Sequence, residues 1–150
     1  MFSLDERAGN VVTTVMVFAH GIVDGPWTVA GNNPAAFNRL YENVHAYAPD
    51  HHSGTFMYDC LLKAAQAFAA RHGEARRRLV IVMTDGHSDK QDATQALDAL
   101  KTLGVPVVAI PFGSDADPSQ LAEVAADTHG VLVARTTDLV GALREAEGYR

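Results

Sequence analysis

The chain has 150 residues, which is enough for one domain with a hydrophobic core and too few for two. Hydrophobic residues make up 47% and charged residues 20%, a balance that excludes a disordered tail and predicts a soluble globular protein. The formal net charge of -6 argues against nucleic-acid binding, which needs a basic surface, and favours a cation or a partner with a basic face.

The sequence also excludes a membrane span and a disulfide framework. No apolar run approaches the ~18 residues of a membrane-spanning helix, and the acidic start is unlike a signal peptide. The single cysteine, Cys60, cannot form a disulfide within the chain, so nothing indicates an oxidising compartment. We therefore predict a cytoplasmic protein that makes no membrane contact.

The first third of the chain carries the pattern of a strand pair followed by a helix. Residues 11–18 alternate loosely between apolar and polar side chains, and residues 27–29 follow a glycine-containing segment at 21–25, which predicts a hairpin. Asn33 and Pro34 then provide a helix start, because asparagine caps helices and proline suits the first helical position.

The remaining two thirds alternate between helices and short apolar strands. Runs that end at turn residues predict three buried strands, at 79–83, 105–112 and 130–134. Apolar residues at helical spacing predict four helices: 56–72, 89–103 with Gly104 as its stop, one opening at Asp117-Pro118, and 137–147. Such alternation indicates right-handed βαβ units, and therefore a single α/β domain over residues 1–150.

Three motifs, in this order and at sensible spacing, resemble those of one family. Residues 53–59 (Ser-Gly-Thr-Phe-Met-Tyr-Asp) open a helix, residues 79–86 form a strand that ends in Thr-Asp-Gly, and residues 103–115 form a strand and its following loop. With the strand that precedes His20, they are similar to the threonine segment and to the fourth, fifth and second strands of the von Willebrand factor type A (VWA) domain. Three motifs in register indicate this fold strongly, although each alone is weak evidence.

The resemblance implies a Rossmann-like, doubly wound, mostly parallel sheet with helices on both faces and a hairpin-like N-terminal strand pair. It also implies a metal-ion-dependent adhesion site (MIDAS) at the carboxyl edge of the sheet, where an acidic side chain of a protein partner completes the shell of Mg²⁺. Thr55 corresponds to the threonine ligand of the family, and Asp85 corresponds to its aspartate ligand. The implied function is an adhesion-type protein-interaction module that acts within a complex and is not an enzyme.

The sequence departs from the family at the first element. No Asp-x-Ser-x-Ser metal loop is present, and residues 1–10 are too few for a strand, a metal loop and a helix, which need about 30 residues. The magnesium site is therefore incomplete in this chain, and the missing strand would leave apolar sheet edges open. Three arrangements would account for this: the strand at 11–18 pairs directly with the strand at 79–83, a homo-oligomer or another partner chain donates a strand, or the chain is a truncated form of a longer domain.

Two other functions compete with the interaction module. If the strand at 11–18 pairs with the strand at 79–83, His20 and Asp24 approach Thr55 and Asp85 and form a mixed site suited to a transition metal. A metal-dependent hydrolase using Asp85 with His87 or His20 is the enzymatic alternative, although the chain lacks a Gly-x-Ser-x-Gly elbow, a P-loop and a His-Glu-x-x-His motif. A structural remnant that keeps the sheet without a working site is the third possibility.

Overall fold

The computed structural model describes residues 12–19, 21–31, 33–46, 55–71, 77–84, 87–90, 93–112 and 118–133, without the side chains of residues 22–24 and 44–45. The chain divides into two compact units, Met1–Gly54 and Thr55–Arg150. The prediction of a single domain over residues 1–150 stays a prediction. Within the described ranges, no helix combines the length and the apolar character that crossing a membrane requires.

The first unit contains an antiparallel strand pair and a helix. Strand β1 (Val12–Phe18) pairs with strand β2 (Ile22–Ala30), with Val12 opposite Ala30 and Val15 opposite Trp27. The predicted hairpin is therefore confirmed, and β2 begins at Ile22, so most of the glycine-containing segment at 21–25 belongs to the strand. Register shifts between Val15 and Phe18 accommodate this glycine-containing segment within the strand pair.

Helix α1 (Pro34–Ala46) begins where the sequence predicts it. The Asn33 side-chain oxygen accepts the Ala36 N–H at 3.1 Å, which satisfies one of the free donors of the first turn. Leu40 on this helix and Val29 on β2 are buried. The helix therefore covers the strand that precedes it.

The second unit is built from helices that alternate with parallel strands. Its elements are α2 (Met57–Ala70), β3 (Val80–Thr84), α3 (Ala93–Thr102), β4 (Val107–Pro111), α4 (Ser119–Asp127) and β5 (Val131–Leu132). The strand order is β3-β4-β5 with parallel pairing throughout, which confirms the predicted α/β class. All five residues of β4 are buried, as expected for the middle strand of the three.

The described strands form two sheets, β1-β2 and β3-β4-β5. Direct pairing between the strands predicted at 11–18 and 79–83 is therefore not found among the described strand pairs. Two further boundaries differ from the prediction: α3 starts at Ala93 and not at Asp89, and the last strand is confined to Val131–Leu132. The helix predicted at 137–147 lies outside the described residues.

Helices α3 and α4 end in the same hydrogen-bonding pattern, in which one residue takes the left-handed conformation. After α3 this residue is Gly104, with φ of 63°, and the N–H of the next residue, Val105, donates to the Leu100 carbonyl oxygen. After α4 it is His129, with φ of 55°, and the Gly130 N–H donates to the Ala125 carbonyl oxygen. The predicted helix stop at Gly104 is thus confirmed, and α4 uses a histidine at the equivalent position.

Replacing His129 with glycine is expected to stabilise the protein by about 0.5–1 kcal/mol. A side chain at positive φ brings Cβ close to the following carbonyl oxygen, and glycine removes this contact at some cost in chain entropy. Thermal or urea unfolding measures the difference. His129→Ala is the matched control, since it removes the imidazole and keeps Cβ; an equal gain in the alanine variant would contradict the explanation.

Candidate functional site

Thr55 lies directly before α2 and contacts the segment that follows β3. Its carbonyl oxygen accepts hydrogen bonds from the Asp89 N–H at 3.0 Å and from the Ser88 hydroxyl at 2.8 Å. These bonds join residues 33 or 34 positions apart in the chain. They also explain the late start of α3, because the backbone at Ser88 and Asp89 bonds to other segments and does not enter the helix.

Ser88 is the centre of this arrangement and is only 5% exposed. Besides the contact with Thr55, its hydroxyl oxygen accepts the Met57 N–H at 2.8 Å and lies 3.1 Å from the Asp89 carbonyl oxygen. Phe56, at the N-cap of α2, makes no side-chain cap. Ser88 therefore caps α2 from another part of the chain, because its hydroxyl oxygen accepts the N–H of Met57, the first residue of the helix.

Gln120, in the first turn of α4, forms hydrogen bonds with both the N–H and the carbonyl oxygen of Ser88. The Ser88 N–H donates to Gln120 Oε1 at 2.6 Å, and Gln120 Nε2 donates to the Ser88 carbonyl oxygen at 2.9 Å. Two parallel hydrogen bonds fix orientation as well as distance. Through Ser88 and Gln120, the starts of α2 and α4 and the segment after β3 meet at one place.

That place follows the carboxyl ends of β3 and β4, where ligands bind in parallel α/β sheets. The Phe112 N–H, just after β4, donates to the carbonyl oxygen of Thr84, the last residue of β3, at 3.0 Å. Asp85 is the next residue and lies outside the described residues, as does His20. Of the remaining sequence-predicted candidates, Thr55 is half-buried and His87 is exposed, while the side chain of Asp24 is not described.

The donor set can be compared with the ligand shell of a divalent cation. Among the described residues, no group of three or more histidine, cysteine, aspartate or glutamate side chains is placed to hold a metal. Thr55 and Asp85 would supply two oxygen ligands, whereas Mg²⁺ takes six and keeps several waters. Residues of these two chemical types would suit such an ion if water and groups from outside this chain filled its other positions.

The titratable side chains near the start of α2 show no activated nucleophile among the residues described. Burial, together with the Asp59 carboxylate, raises the pKa of the Cys60 thiol to about 11, so this thiol is protonated near neutral pH. Burial, and then the Glu123 carboxylate, raises the pKa of the Tyr58 hydroxyl. Cys60 is buried and behaves as a small hydrophobic residue.

Motif resemblance proposed Thr55 and Asp85 as site residues, and this remains a prediction; Ser88 and Gln120, which contact the Thr55 segment or each other, were not proposed. The available signal was a serine three residues after Asp85, directly before the segment predicted to be helical from position 89. Its partners, Met57 and Gln120, are 31 and 32 positions away, and no local pattern predicts such pairs. Only the folded arrangement reveals the contact.

Comparison with known proteins agrees with the motifs. The family model of the von Willebrand factor type A domain matches residues 14–146. A comparison with curated protein sequences gives no match.

Solved structures of the same fold come from distant relatives. The von Willebrand factor type A protein from Catenulispora acidiphila is 16% identical to this chain, with a TM-score of 0.73. The match covers 94% of this chain and 33% of the Catenulispora chain. BatB, a conserved hypothetical protein from Bacteroides thetaiotaomicron, is 16% identical to this chain, with a TM-score of 0.71. The match covers 89% of this chain and 75% of the BatB chain. This chain thus spans about a third of the first protein and three quarters of the second.

A third neighbour is proximal thread matrix protein 1 from the mussel byssus. One structure of it is 20% identical to this chain, with a TM-score of 0.67, and the match covers 94% of this chain and 37% of the mussel chain. A second structure of that protein, with a zinc-occupied MIDAS motif, has 20% identity and a TM-score of 0.60, over 89% of this chain and 34% of its own. At these identities, the likeness establishes the fold alone.

Proposed function

Because the chain belongs to the von Willebrand factor type A family, we propose that it is a protein-interaction module that binds an acidic side chain of its partner. The binding site is the carboxyl edge of β3 and β4, with Thr55 and Asp85 as its contacts. The observation that carries the proposal is the bonding of the Thr55 carbonyl oxygen to Ser88 and Asp89. It brings the threonine segment to the segment that follows Asp85 in the chain.

A divalent cation shared between this chain and its partner is part of the proposal. The Thr55 hydroxyl and the Asp85 carboxylate are hard oxygen ligands, which Mg²⁺ prefers. Two ligands hold the ion weakly, so a carboxylate of the partner completes the site and the two bindings strengthen each other. In support of this, one structure of proximal thread matrix protein 1, a protein of the same fold, has a zinc-occupied MIDAS motif.

The remaining parts of the proposal concern the role and setting of the protein. The chain acts by binding and not by catalysis, within a protein complex and in the cytoplasm. Association with a second copy or with a strand-donating partner chain stays a prediction from the sequence. The hydrolase alternative, which needs Asp85 with His87 or His20, likewise stays a prediction, and no observation favours it over binding.

The proposal predicts that Asp85→Asn and Thr55→Val each weaken the binding of Mn²⁺, a spectroscopic substitute for Mg²⁺, by at least about tenfold. Loss of residues that merely support a metal ligand already costs about 10- to 100-fold in affinity, and these two residues are proposed as ligands. Mn²⁺ titration followed by water-proton relaxation measures the change. A capped peptide with one aspartate is the partner probe, and its presence should tighten Mn²⁺ binding to the wild type.

Asp98→Asn is the matched control, because it removes an exposed carboxylate on α3, away from the proposed site. Its Mn²⁺ affinity should stay within about twofold of the wild type, as expected for a distant surface charge. Equal affinities for Asp85→Asn, Thr55→Val and the wild type would overturn the proposed site. The same is true if Asp98→Asn weakens binding as much as Asp85→Asn.

A further inference from the structure

We propose that Ser88 and Gln120 are positioning residues for the partner-binding edge: together they hold Thr55 and the start of α2 against residues 87–90, the described segment that follows Asp85 in the chain. Neither residue is proposed to touch the partner or the cation. This inference rests on the proposed function, since it describes how the same edge keeps its shape. Its basis is a buried residue whose hydroxyl bonds to the start of α2 while its backbone is bonded to Gln120 of α4.

The first step concerns Thr55. Its carbonyl oxygen accepts from the Ser88 hydroxyl, and the same hydroxyl accepts the Met57 N–H two residues further on. Both bonds are 2.8 Å long and involve backbone atoms on either side of Phe56. Ser88 therefore fixes the backbone from which the Thr55 side chain extends, as well as the first turn of α2.

The second step concerns the described residues on either side of Asp85, namely Thr84 and Ser88. On one side, the carbonyl oxygen of Thr84 is bonded to the Phe112 N–H at 3.0 Å. On the other side, Ser88 follows after three residues and is held at both its N–H and its carbonyl oxygen. The described residues on both sides of Asp85 are therefore each held by hydrogen bonds to another part of the chain.

The third step concerns Gln120, which connects α4 to the same point. Its amide group donates and accepts at once, so it fixes the direction of the Ser88 peptide groups as well as their distance. Gln120→Met keeps the length of the side chain but loses both bonds. Gln120 is only half-buried, so this substitution is expected to leave the protein folded.

Thr128 offers a matched control at the opposite end of the sheet. It is 4% exposed, against 5% for Ser88, and its hydroxyl also joins two backbone groups. It accepts the N–H of Val107, the first residue of β4, at 3.1 Å and donates to the Val124 carbonyl oxygen at 2.8 Å. Thr128→Val and Ser88→Ala thus remove the same kind of buried hydroxyl, one at the amino end and one at the carboxyl end of the strands.

The test compares stability with Mn²⁺ affinity in the full chain. Ser88→Ala and Thr128→Val should lower the Tm by similar amounts, about 3–6 °C, because each leaves one backbone N–H, that of Met57 or that of Val107, without its partner. Mn²⁺ affinity, measured below the Tm of every variant, should fall roughly tenfold in Ser88→Ala and Gln120→Met. In Thr128→Val it should stay within about twofold of the wild type. Amide hydrogen exchange at Met57 should accelerate in Ser88→Ala alone.

The outcomes separate this inference from the proposed function. If the wild type binds Mn²⁺ through Asp85 but Ser88→Ala and Gln120→Met bind it equally well, the positioning role is overturned and the binding site stands. An equal loss of affinity in Thr128→Val and Ser88→Ala would overturn it as well, because general destabilisation would then explain both. A wild type that binds no Mn²⁺ overturns the proposed function and the positioning role together.

Discussion

Gly130→Ala is expected to destabilise the protein by about 3 kcal/mol or more, at the upper end of the usual range for overpacking. Gly130 follows α4 at the point where the chain turns into β5 and passes close to β4. A Cβ added there would overlap the backbone of Val107, because it would lie 2.6 Å from the Val107 carbonyl carbon and 2.7 Å from the Val107 nitrogen. Val107 is fully buried in the middle strand, so relief requires the strand or the helix end to move.

Gly104→Ala is the control for this substitution. Gly104 occupies the left-handed position after α3, yet an added Cβ there would meet nothing within 4 Å. Its cost is therefore conformational only, about 1 kcal/mol. Urea unfolding measures the free energy of unfolding of Gly130→Ala, which reports steric overlap, and of Gly104→Ala, which reports backbone strain. Similar losses in both would contradict the close approach of Gly130 to β4.

Ile110→Ala is expected to destabilise the protein by about 3 kcal/mol, within the range for removing a large buried aliphatic side chain. Ile110 lies on β4, is fully buried, and clusters with Val108 and Val133, with Leu79 packed against them. The loss combines the transfer of apolar surface with the cavity that remains. Equilibrium unfolding in urea measures it, with the midpoint falling and the slope unchanged.

Ile81→Ala on the neighbouring strand is the matched control. The residue type and the substitution are the same, but Ile81 is 46% exposed. We expect a loss below about 1 kcal/mol, because much of this side chain already contacts solvent. Equal destabilisation by the two substitutions would show that β3 is more deeply covered than its exposure indicates.

The order of the elements could be predicted from the sequence because each carries a local signal. Continuous apolar runs mark β3 and β4, helical spacing marks α2 to α4, and Asn33 with Pro34 marks the start of α1. The match of the family model confirms the predicted family. The predicted second strand at 27–29 is shorter than β2, which spans Ile22–Ala30, because register shifts include the glycine-containing segment in the strand pair.

The site could be predicted only in part. Motif resemblance pointed to Thr55 and Asp85, and the structure places Thr55 against the segment after β3. Ser88 and Gln120 could not be predicted, since their bonds join positions more than 30 residues apart and leave no periodic trace. The partner cannot be derived from one chain, because the proposed cation depends on a carboxylate that the partner supplies.

The most direct test of the central claim is to locate the ion by NMR, using the paramagnetic broadening of assigned backbone amide signals by Mn²⁺ added to the wild-type chain. The binding account predicts that the signals of Thr55, Ser88 and Phe112 broaden first and recover when Mg²⁺ is added in excess. The signal of Val107, at the amino end of the strands, should broaden last among these four. Broadening centred on another surface, or no selective broadening at any Mn²⁺ concentration, would contradict the account.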